Sequence, residues 1–284
     1  MTTSLDLTNQ APEGTKLWLL HLGNLEVDDA WIVRGANTST RSNPNPPNTR
    51  RKLLLAAYLI AHPTHGLILF ETGAGTDYPE IVGPQVDDLF SRVDYDASMN
   101  LDAQIALTGH SIRDVKMVIM GHLHLDHAGG LEYFKGTNVP IYVHELELKY
   151  AFYSVATKID NHVYLPHYLT FDYNWVPLHG SHVDYLAPGL TVHHAPGHTP
   201  GLCILQLHLK RTGTWLFTSD MYHVVENYRD TVPQGWLVRD YEAWFRSHAM
   251  VKGIVGRTGA KVLLGHCWDT VRELGVEFAP RSYE

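Results

Sequence analysis

The sequence predicts a layered α/β (α+β) fold, with β-sheets in the interior and helices on the outside. Three observations support this prediction. Short apolar runs bounded by turn residues fill the first part of the chain, as β-strands do. From residue 115 onward, further strand-like runs each lead to a histidine or an aspartate. Segments with helical spacing of apolar residues lie between the runs and would cover the sheets.

The composition is that of a globular protein and excludes several functions. Of 284 residues, 44% are hydrophobic and 18% are charged, which suffices for a sizeable core. The net charge of -8 argues against a nucleic-acid partner, because phosphate backbones require a basic face. No apolar run is long enough to span a membrane, and the N-terminus has no signal-peptide pattern. Cys203 and Cys267 are read as reduced thiols, so we expect a cytoplasmic protein.

We expect residues 1–284 to form one domain, since no linker-like stretch lies near the middle. Residues 1–15 would be an N-terminal tail. Residues 34–51 are polar and rich in proline, which predicts a surface loop that is either a lid or a tolerated insertion. Residues 150–185 are rich in aromatic side chains and would form a pocket wall or an interface.

The first strands are predicted at residues 17–22, 53–60 and 67–70, close enough together to pair antiparallel. Helices are predicted at residues 101–106, 145–157 and 241–255 from the spacing of their apolar positions.

The later strands share a feature at their carboxyl ends. Runs at residues 115–120, 190–193, 214–218 and 261–264 lead to His122, His198, Asp220 and His266, respectively. Ligands gather where the carboxyl ends of strands open into loops, so these four side chains are expected to face one cleft.

The strongest local signal is GHLHLDHAGG at residues 121–130. Side chains two apart on an extended segment share a face, so His122 and His124 can bind one metal ion. If the chain then enters a helix, Asp126 and His127 project from a new direction and can hold a second ion. A lone histidine is usually structural, but this cluster predicts a metal site. Zinc is the default, with iron or manganese as alternatives.

These motifs, followed by GHTPG with His198, TSD with Asp220 and GH with His266, resemble the metallo-β-lactamase superfamily. The resemblance implies a four-layer αββα sandwich with two zinc ions at one edge of its facing sheets. It implies that His122, His124 and His198 hold one ion and that Asp126, His127 and His266 hold the other. Asp220 would bridge them.

Within the superfamily, the chain is most similar to the quorum-quenching branch of dinuclear lactonases, which includes acyl-homoserine lactonases. It departs from that branch at Leu125, where phenylalanine is frequent, and at His223, where tyrosine is frequent. Tyr222 lies one position earlier, so Tyr222 or His223 could polarise the substrate carbonyl or protonate the leaving group. Glu71 also replaces the aspartate of a strand-end Asp-Thr-Gly. These departures suggest a changed substrate.

The aromatic segment supplies candidates for substrate binding. Flat side chains suit a pocket for a ring, so Tyr168, Phe171 and Trp175, together with Leu125, are predicted to bind substrate. Ordinary core packing and a homodimer contact are the alternatives for these residues.

The leading functional hypothesis is a metallo-hydrolase that opens a small cyclic ester, a lactone, by attack of metal-bound hydroxide. The second is a lactamase that opens a γ-lactam or a cyclic carbamate such as benzoxazolinone in detoxification. Its nitrogen leaving group needs a general acid, for which Asp126 and His223 are candidates. The third, from another class, is a non-hydrolytic iron redox protein of the same fold.

Overall fold

The computed structural model describes residues 9–160 and 162–284. Residues 1–8 of the predicted tail, and residue 161 within the aromatic segment, lie outside the described residues. The remainder of the tail contacts the folded body, where the Ala11 N–H donates to the His208 carbonyl at 2.9 Å. The extent of the chain as one domain stays a prediction.

Twelve strands in the described residues form two sheets. The first sheet has the order β4-β1-β2-β3-β5-β6-β7 and is antiparallel from β4 to β3 and parallel from β3 to β7. Its strands are β1 Lys16–Asp28, β2 Arg50–His62, β3 Gly66–Phe70, β4 Ser91–Val93, β5 Val115–Ile119, β6 Pro140–His144 and β7 Asn174–Leu178.

The second sheet has the order β12-β11-β10-β9-β8, and only its β11–β12 pair is parallel among the described strands. Its strands are β8 His182–Val183, β9 Leu190–His194, β10 Cys203–Leu209, β11 Gly213–Phe217 and β12 Lys261–Leu263.

Nine α-helices accompany the sheets in the described residues, and the longer ones cover the outer faces. They are α1 Asp29–Ile32, α2 Tyr78–Val82, α3 Pro84–Leu89, α4 Leu101–Ala106, α5 Leu125–Ala128, α6 Glu145–Thr157, α7 Val225–Arg229, α8 Tyr241–Thr258 and α9 Trp268–Leu274. The longest, α8, begins where the Asp240 carboxylate accepts the Ala243 N–H at 2.9 Å. None of these helices is long and apolar enough to cross a membrane.

Alternation along β1 shows how the layers form. Leu17 and Leu19 pack between the sheets with Phe217 of β11, whereas Trp18 and Leu20 pack on the opposite face under the helices. Trp244 of α8 covers the outer face of the second sheet. The order of layers is helix, sheet, sheet, helix, which confirms the predicted αββα fold class.

Several boundaries differ from the sequence prediction; β1, for example, is predicted at residues 17–22 and spans Lys16–Asp28. The predicted loop at residues 34–51 ends two residues early, because Arg50 and Arg51 extend β2 and pair with Asp28 and Val27 of β1. Ion pairs hold both guanidinium groups: Arg50 contacts Glu26, and Arg51 contacts Asp29 and Glu226. The helix predicted at residues 241–255 continues to Thr258.

Candidate metal centre

Loops at the carboxyl ends of the strands carry the predicted ligands to one edge of the sheets. His122 and His124 follow β5, and His198, Asp220 and His266 follow β9, β11 and β12, respectively. His124 has extended backbone and precedes α5, whose first turn presents Asp126 and His127. The change from strand to helix therefore lets four neighbouring side chains approach from two directions, as the motif predicts.

The first group contains His122, His124, His198 and Asp220, whose candidate ligand atoms lie within 4.8 Å of one another. His198 Nε2 lies 3.0 Å from His124 Nδ1 and 3.4 Å from Asp220 Oδ2. His122 Nε2 lies 3.7 Å from the same Asp220 oxygen.

The second group contains Asp126, His127 and His266. His127 Nε2 lies 3.3 Å from His266 Nε2, and Asp126 Oδ2 lies 3.4 Å from His266 Nε2 and 3.8 Å from His127 Nε2. His266 is oriented from behind, because its Nδ1 donates to the Leu54 carbonyl at 2.8 Å and leaves Nε2 for the cluster.

The two carboxylate oxygens of Asp220 face different groups. Oδ1 lies 3.1 Å from His127 Nε2 and 3.0 Å from His266 Nε2. Oδ2 faces His122 and His198 of the first group. A carboxylate placed in this way fits a bridge between two cations.

The donor set fits metal ions better than hydrogen bonding. Tetrahedral zinc with bonds of about 2.0–2.1 Å to nitrogen holds its ligand atoms roughly 3.3 Å apart, close to the spacings in both groups. His122 Nε2, which faces Asp220 Oδ2, is buried without a hydrogen-bond partner among the described residues. Buried polar atoms rarely stay unpaired, so a cation in the first group would account for this nitrogen atom.

Electrostatics keep most of the cluster ready to bind cations. Burial, reinforced by neighbouring imidazoles, lowers the pKa of His122, His124 and His198 well below the usual value, so these rings are neutral donors. Burial also opposes the charged form of His127 and His266, but nearby carboxylates, Asp220 first among them, together outweigh it and raise the pKa of both.

Burial likewise opposes ionisation of Asp220. The imidazoles of His266 and His127 outweigh that effect and hold the pKa of the Asp220 carboxyl well below its usual range. In the metal-free protein, charged imidazoles in the second group therefore offset the charge of this carboxylate.

A glutamate and a serine orient one histidine from each group. Glu71 Oε1 lies 3.3 Å from His127 Nδ1 and accepts the Ser219 hydroxyl at 2.6 Å. The Ser219 oxygen lies 3.2 Å from His122 Nδ1. Glu71 therefore supplies the carboxylate contact to a ligand histidine, although it replaces the aspartate of the related sequences.

The structure distinguishes between Tyr222 and His223. His223 Nε2 lies 2.9 Å from Asp220 Oδ2, inside the cluster. The Tyr222 hydroxyl instead pairs with His248 Nδ1 at 2.9 Å, and its ring packs against Trp244. Neighbouring side chains on extended backbone point in opposite directions, so only one of the two reaches the site. The structure does not bring Tyr222 to the site, which corrects its proposed catalytic role.

The four predicted substrate-binding residues do not together form an exposed pocket wall beside the cluster. Leu125 packs in the core under the helices. Tyr168 is fully buried, and its hydroxyl donates to the Leu123 carbonyl at 2.9 Å. Phe171 is 92% exposed and stacks on Phe152. The Trp175 indole donates to the Thr170 carbonyl at 2.9 Å. Tyr168 therefore lies in the core and Phe171 on the surface, and neither forms the expected pocket wall.

Two supporting residues escaped the sequence analysis. The Gln234 amide donates to the Asp220 carbonyl at 2.6 Å, and the buried Glu147 carboxylate contacts the loops that bear His124 and His198. Neither residue belongs to a motif with recognisable spacing, so no local signal identified them.

Comparisons with known proteins agree with this geometry. The family model described as the metallo-β-lactamase superfamily matches residues 55–266. The N-acyl homoserine lactonase AiiB of Agrobacterium fabrum is 26% identical over 264 residues, which cover 89% of this chain and 94% of the relative.

Two solved structures are similar in fold. AiiA of B. thuringiensis with N-decanoyl-L-homoserine bound at the active site aligns with a TM-score of 0.76 and 23% identity, over 94% of this chain and 98% of that chain. The dizinc quorum-quenching lactonase AidC aligns with a TM-score of 0.64 and 15% identity, over 90% and 88%, respectively. The comparisons confirm the predicted resemblance, the fold class and the prediction of a metallo-hydrolase.

Proposed function

Because the chain belongs to the metallo-β-lactamase superfamily, we propose that it is a dinuclear hydrolase that opens a small cyclic ester, a lactone. One observation carries this proposal: the two carboxylate oxygens of Asp220 face two separate groups of imidazoles. The relative that aligns over 94% of its own length is named as a lactonase, which supports a lactone as substrate.

The residues present define where two zinc ions would lie, with iron or manganese as alternative metals. His122, His124 and His198 would hold the first ion, whereas Asp126, His127 and His266 would hold the second. Asp220 would contact both. A pair of such cations lowers the pKa of a water between them and supplies a hydroxide nucleophile near neutral pH.

We propose that Asp126 and His223 are the two side chains that transfer or hold protons during the reaction. The Asp126 side chain is 13% exposed, more than the other carboxylate of the cluster, and can deliver a proton to the leaving oxygen. His223 keeps one ring nitrogen against Asp220, while its Nδ1 is buried and has no hydrogen-bond partner in the part of the chain that the structure describes. That free nitrogen is proposed to contact the substrate.

The surroundings favour a small, uncharged reacting group. Every imidazole of the cluster is at least nine-tenths buried, so bulk water is excluded and electrostatic contacts are strengthened. The net charge of -8 supports a small-molecule substrate rather than nucleic acid.

A panel of lactones and lactams tests the proposal on zinc-loaded protein. We expect turnover of at least one lactone, two zinc ions per chain, and loss of both activity and metal in His124→Ala. Absence of lactone turnover by protein that retains two ions would contradict the proposal. One iron per chain with sensitivity to oxygen would instead favour the redox alternative.

The second candidate is a γ-lactamase or cyclic carbamate hydrolase that acts on a compound such as benzoxazolinone. The imidazole of His223, in place of the tyrosine frequent in the lactonase branch, favours it. A nitrogen leaving group needs proton delivery more than an alkoxide does, and an imidazole beside Asp220 is placed to carry that proton. Faster turnover of the cyclic carbamate than of every lactone in the same panel would select this candidate.

A further inference from the structure

A buried carboxylate on α6 connects the two loops that carry the first group of imidazoles. Glu147 has no solvent-exposed surface, although glutamate is rarely buried completely. Its helix begins after β6, outside the metal cluster, and its side chain reaches inward toward the ends of β5 and β9.

One carboxylate oxygen holds the loop after β5. Glu147 Oε1 accepts the Leu123 N–H at 3.0 Å, and Leu123 lies between His122 and His124. The same oxygen accepts the Tyr164 hydroxyl at 2.9 Å. The Tyr164 ring also contacts the His124 ring edge-to-face, with centroids 4.8 Å apart. Oε1 therefore fixes the backbone between two ligands and the aromatic ring beside one of them.

The other oxygen holds the loop after β9. Glu147 Oε2 accepts the Thr199 hydroxyl at 2.6 Å and the Gly201 N–H at 3.3 Å. Thr199 directly follows His198. A Cβ added at Gly201 would lie 2.0 Å from the Glu147 nitrogen, so this loop packs directly against the first turn of α6.

The chemistry of the four contacts matches an ionised carboxylate. Two backbone N–H groups and two hydroxyl groups reach its two oxygens, so every contact can be a donated hydrogen bond. Burial raises the pKa of this carboxyl, and the four hydrogen bonds oppose that shift.

We propose that Glu147 is a positioning residue that sets the separation of His122, His124 and His198. It thereby sets the affinity of the first group of ligands for its metal ion. The proposal rests on the proposed function of that site as a metal centre. The physical reason is that one rigid anion fixes both loops. A shift of the loop after β9 would break two hydrogen bonds to a buried charge, and a shift of the loop after β5 would break one, which is costly.

Three substitutions test this role by removing the contacts in different ways. Glu147→Gln keeps the volume but places an amide NH₂ against two of the four donors. Tyr164→Phe and Thr199→Val each remove one hydroxyl. Tyr133→Phe is the matched control, because its hydroxyl also donates to a carboxylate, Asp102 Oδ1, at 2.8 Å but lies away from the ligand loops.

The measurement is the zinc retained per chain during titration with a chelator. It is repeated in a His266→Ala background, which weakens the second group, so that the remaining zinc ion reports the affinity of the first group. We expect Glu147→Gln to release this ion at a chelator concentration about 10–100-fold lower than the parent protein does, the usual cost of losing support behind ligands. Tyr164→Phe and Thr199→Val should shift release in the same direction by less, and Tyr133→Phe should not shift it.

A merely structural role gives a different result. If melting temperatures of the metal-free variants fall while all release curves match the parent, the proposal is overturned. If Glu147→Gln does not fold, unchanged release by both Tyr164→Phe and Thr199→Val overturns it equally. Lactone turnover is not part of this measurement. A parent protein that retains zinc but opens no lactone therefore contradicts the proposed function and leaves the role of Glu147 intact.

Discussion

The Ser219 hydroxyl donates to Glu71 Oε1 at 2.6 Å across the two sheets, between residues 148 positions apart. Both residues have left-handed backbone, with φ of +44° for Ser219 and +64° for Glu71. Such conformations cost energy for residues other than glycine and persist where surrounding contacts enforce them. Here they bring a carboxylate and a hydroxyl behind His127 and His122, one histidine from each metal group.

Removing this hydroxyl should loosen the metal centre. Ser219→Ala deprives Glu71 of a donor and His122 of its contact, so we expect metal affinity to fall by about 10–100-fold. The free energy of unfolding should fall by about 1–3 kcal/mol, since a buried group loses its partner. Chelator titration and denaturant unfolding measure the two effects.

The control for that substitution is Thr15→Val, which removes another buried hydroxyl, one that donates to the Pro12 carbonyl at 2.7 Å. It should reduce stability without changing metal retention. Equal metal affinity in Ser219→Ala and the parent would show that the Ser219–Glu71 contact does not orient the ligands.

The pair also requires space that only glycine leaves. A Cβ on Gly121 would lie 2.3 Å from Glu71 Oε1 and 2.6 Å from the Ser219 oxygen. Gly121→Ala should therefore destabilise the protein by about 1–3 kcal/mol through overpacking and reduce zinc content. Gly256 lies on a helix, where an added Cβ would meet no atom within 4 Å among the described residues outside its own turn of helix, so Gly256→Ala should instead stabilise the protein by roughly 1 kcal/mol. A Gly121→Ala protein with parental stability and zinc content would contradict this account.

Tyr222 and His223 should behave oppositely in kinetic assays. Tyr222→Phe loses a contact with His248 outside the cluster, so kcat should stay within about twofold while stability falls by about 1 kcal/mol. His223→Phe removes the imidazole beside Asp220 and should lower kcat about 100-fold or more, the usual contribution of a proton-transferring group. Loss of activity in Tyr222→Phe with normal activity in His223→Phe would reverse the assignment.

Zinc binding should weaken as the pH falls. The Asp220 carboxylate helps to raise the pKa of His127 and His266 in the metal-free protein, so protonation of these two rings competes with zinc. Affinity is therefore highest above the raised pKa values and decreases as the pH falls through them. We expect the zinc ion that binds to the second group of ligands to release up to roughly two protons near neutral pH.

Calorimetry in buffers of different ionisation enthalpy measures that proton release, and chelator competition at several pH values measures the affinity. His266→Ala removes one titrating ring, so its proton release should fall by about one. Zinc affinity that does not change with pH would contradict the protonation of these two rings.

Much of the fold and the ligand set could be predicted because their signals are local. Apolar runs bounded by turn residues identified seven strands, β1, β2, β3, β5, β9, β11 and β12, and α4 and α6 begin and end where the helical spacing predicted. The sequence analysis did not predict β4, β6, β7, β8 and β10. Of these, β4 and β8 have only three and two residues, too few to carry a periodicity of their own. The ends of β1 and β2 also depend on pairing with each other rather than on their own composition.

The sequence alone determined which side chains gather, because His122, His124, Asp126 and His127 lie within six residues and their directions follow from one strand-to-helix change. Only the tertiary structure decided what supports and surrounds them. Tyr222 turns toward α8 because its hydroxyl pairs with His248 and its ring packs against Trp244. Contacts such as that between Ser219 and Glu71 join distant segments, and their existence depends on how two sheets pack, which no short stretch of sequence encodes.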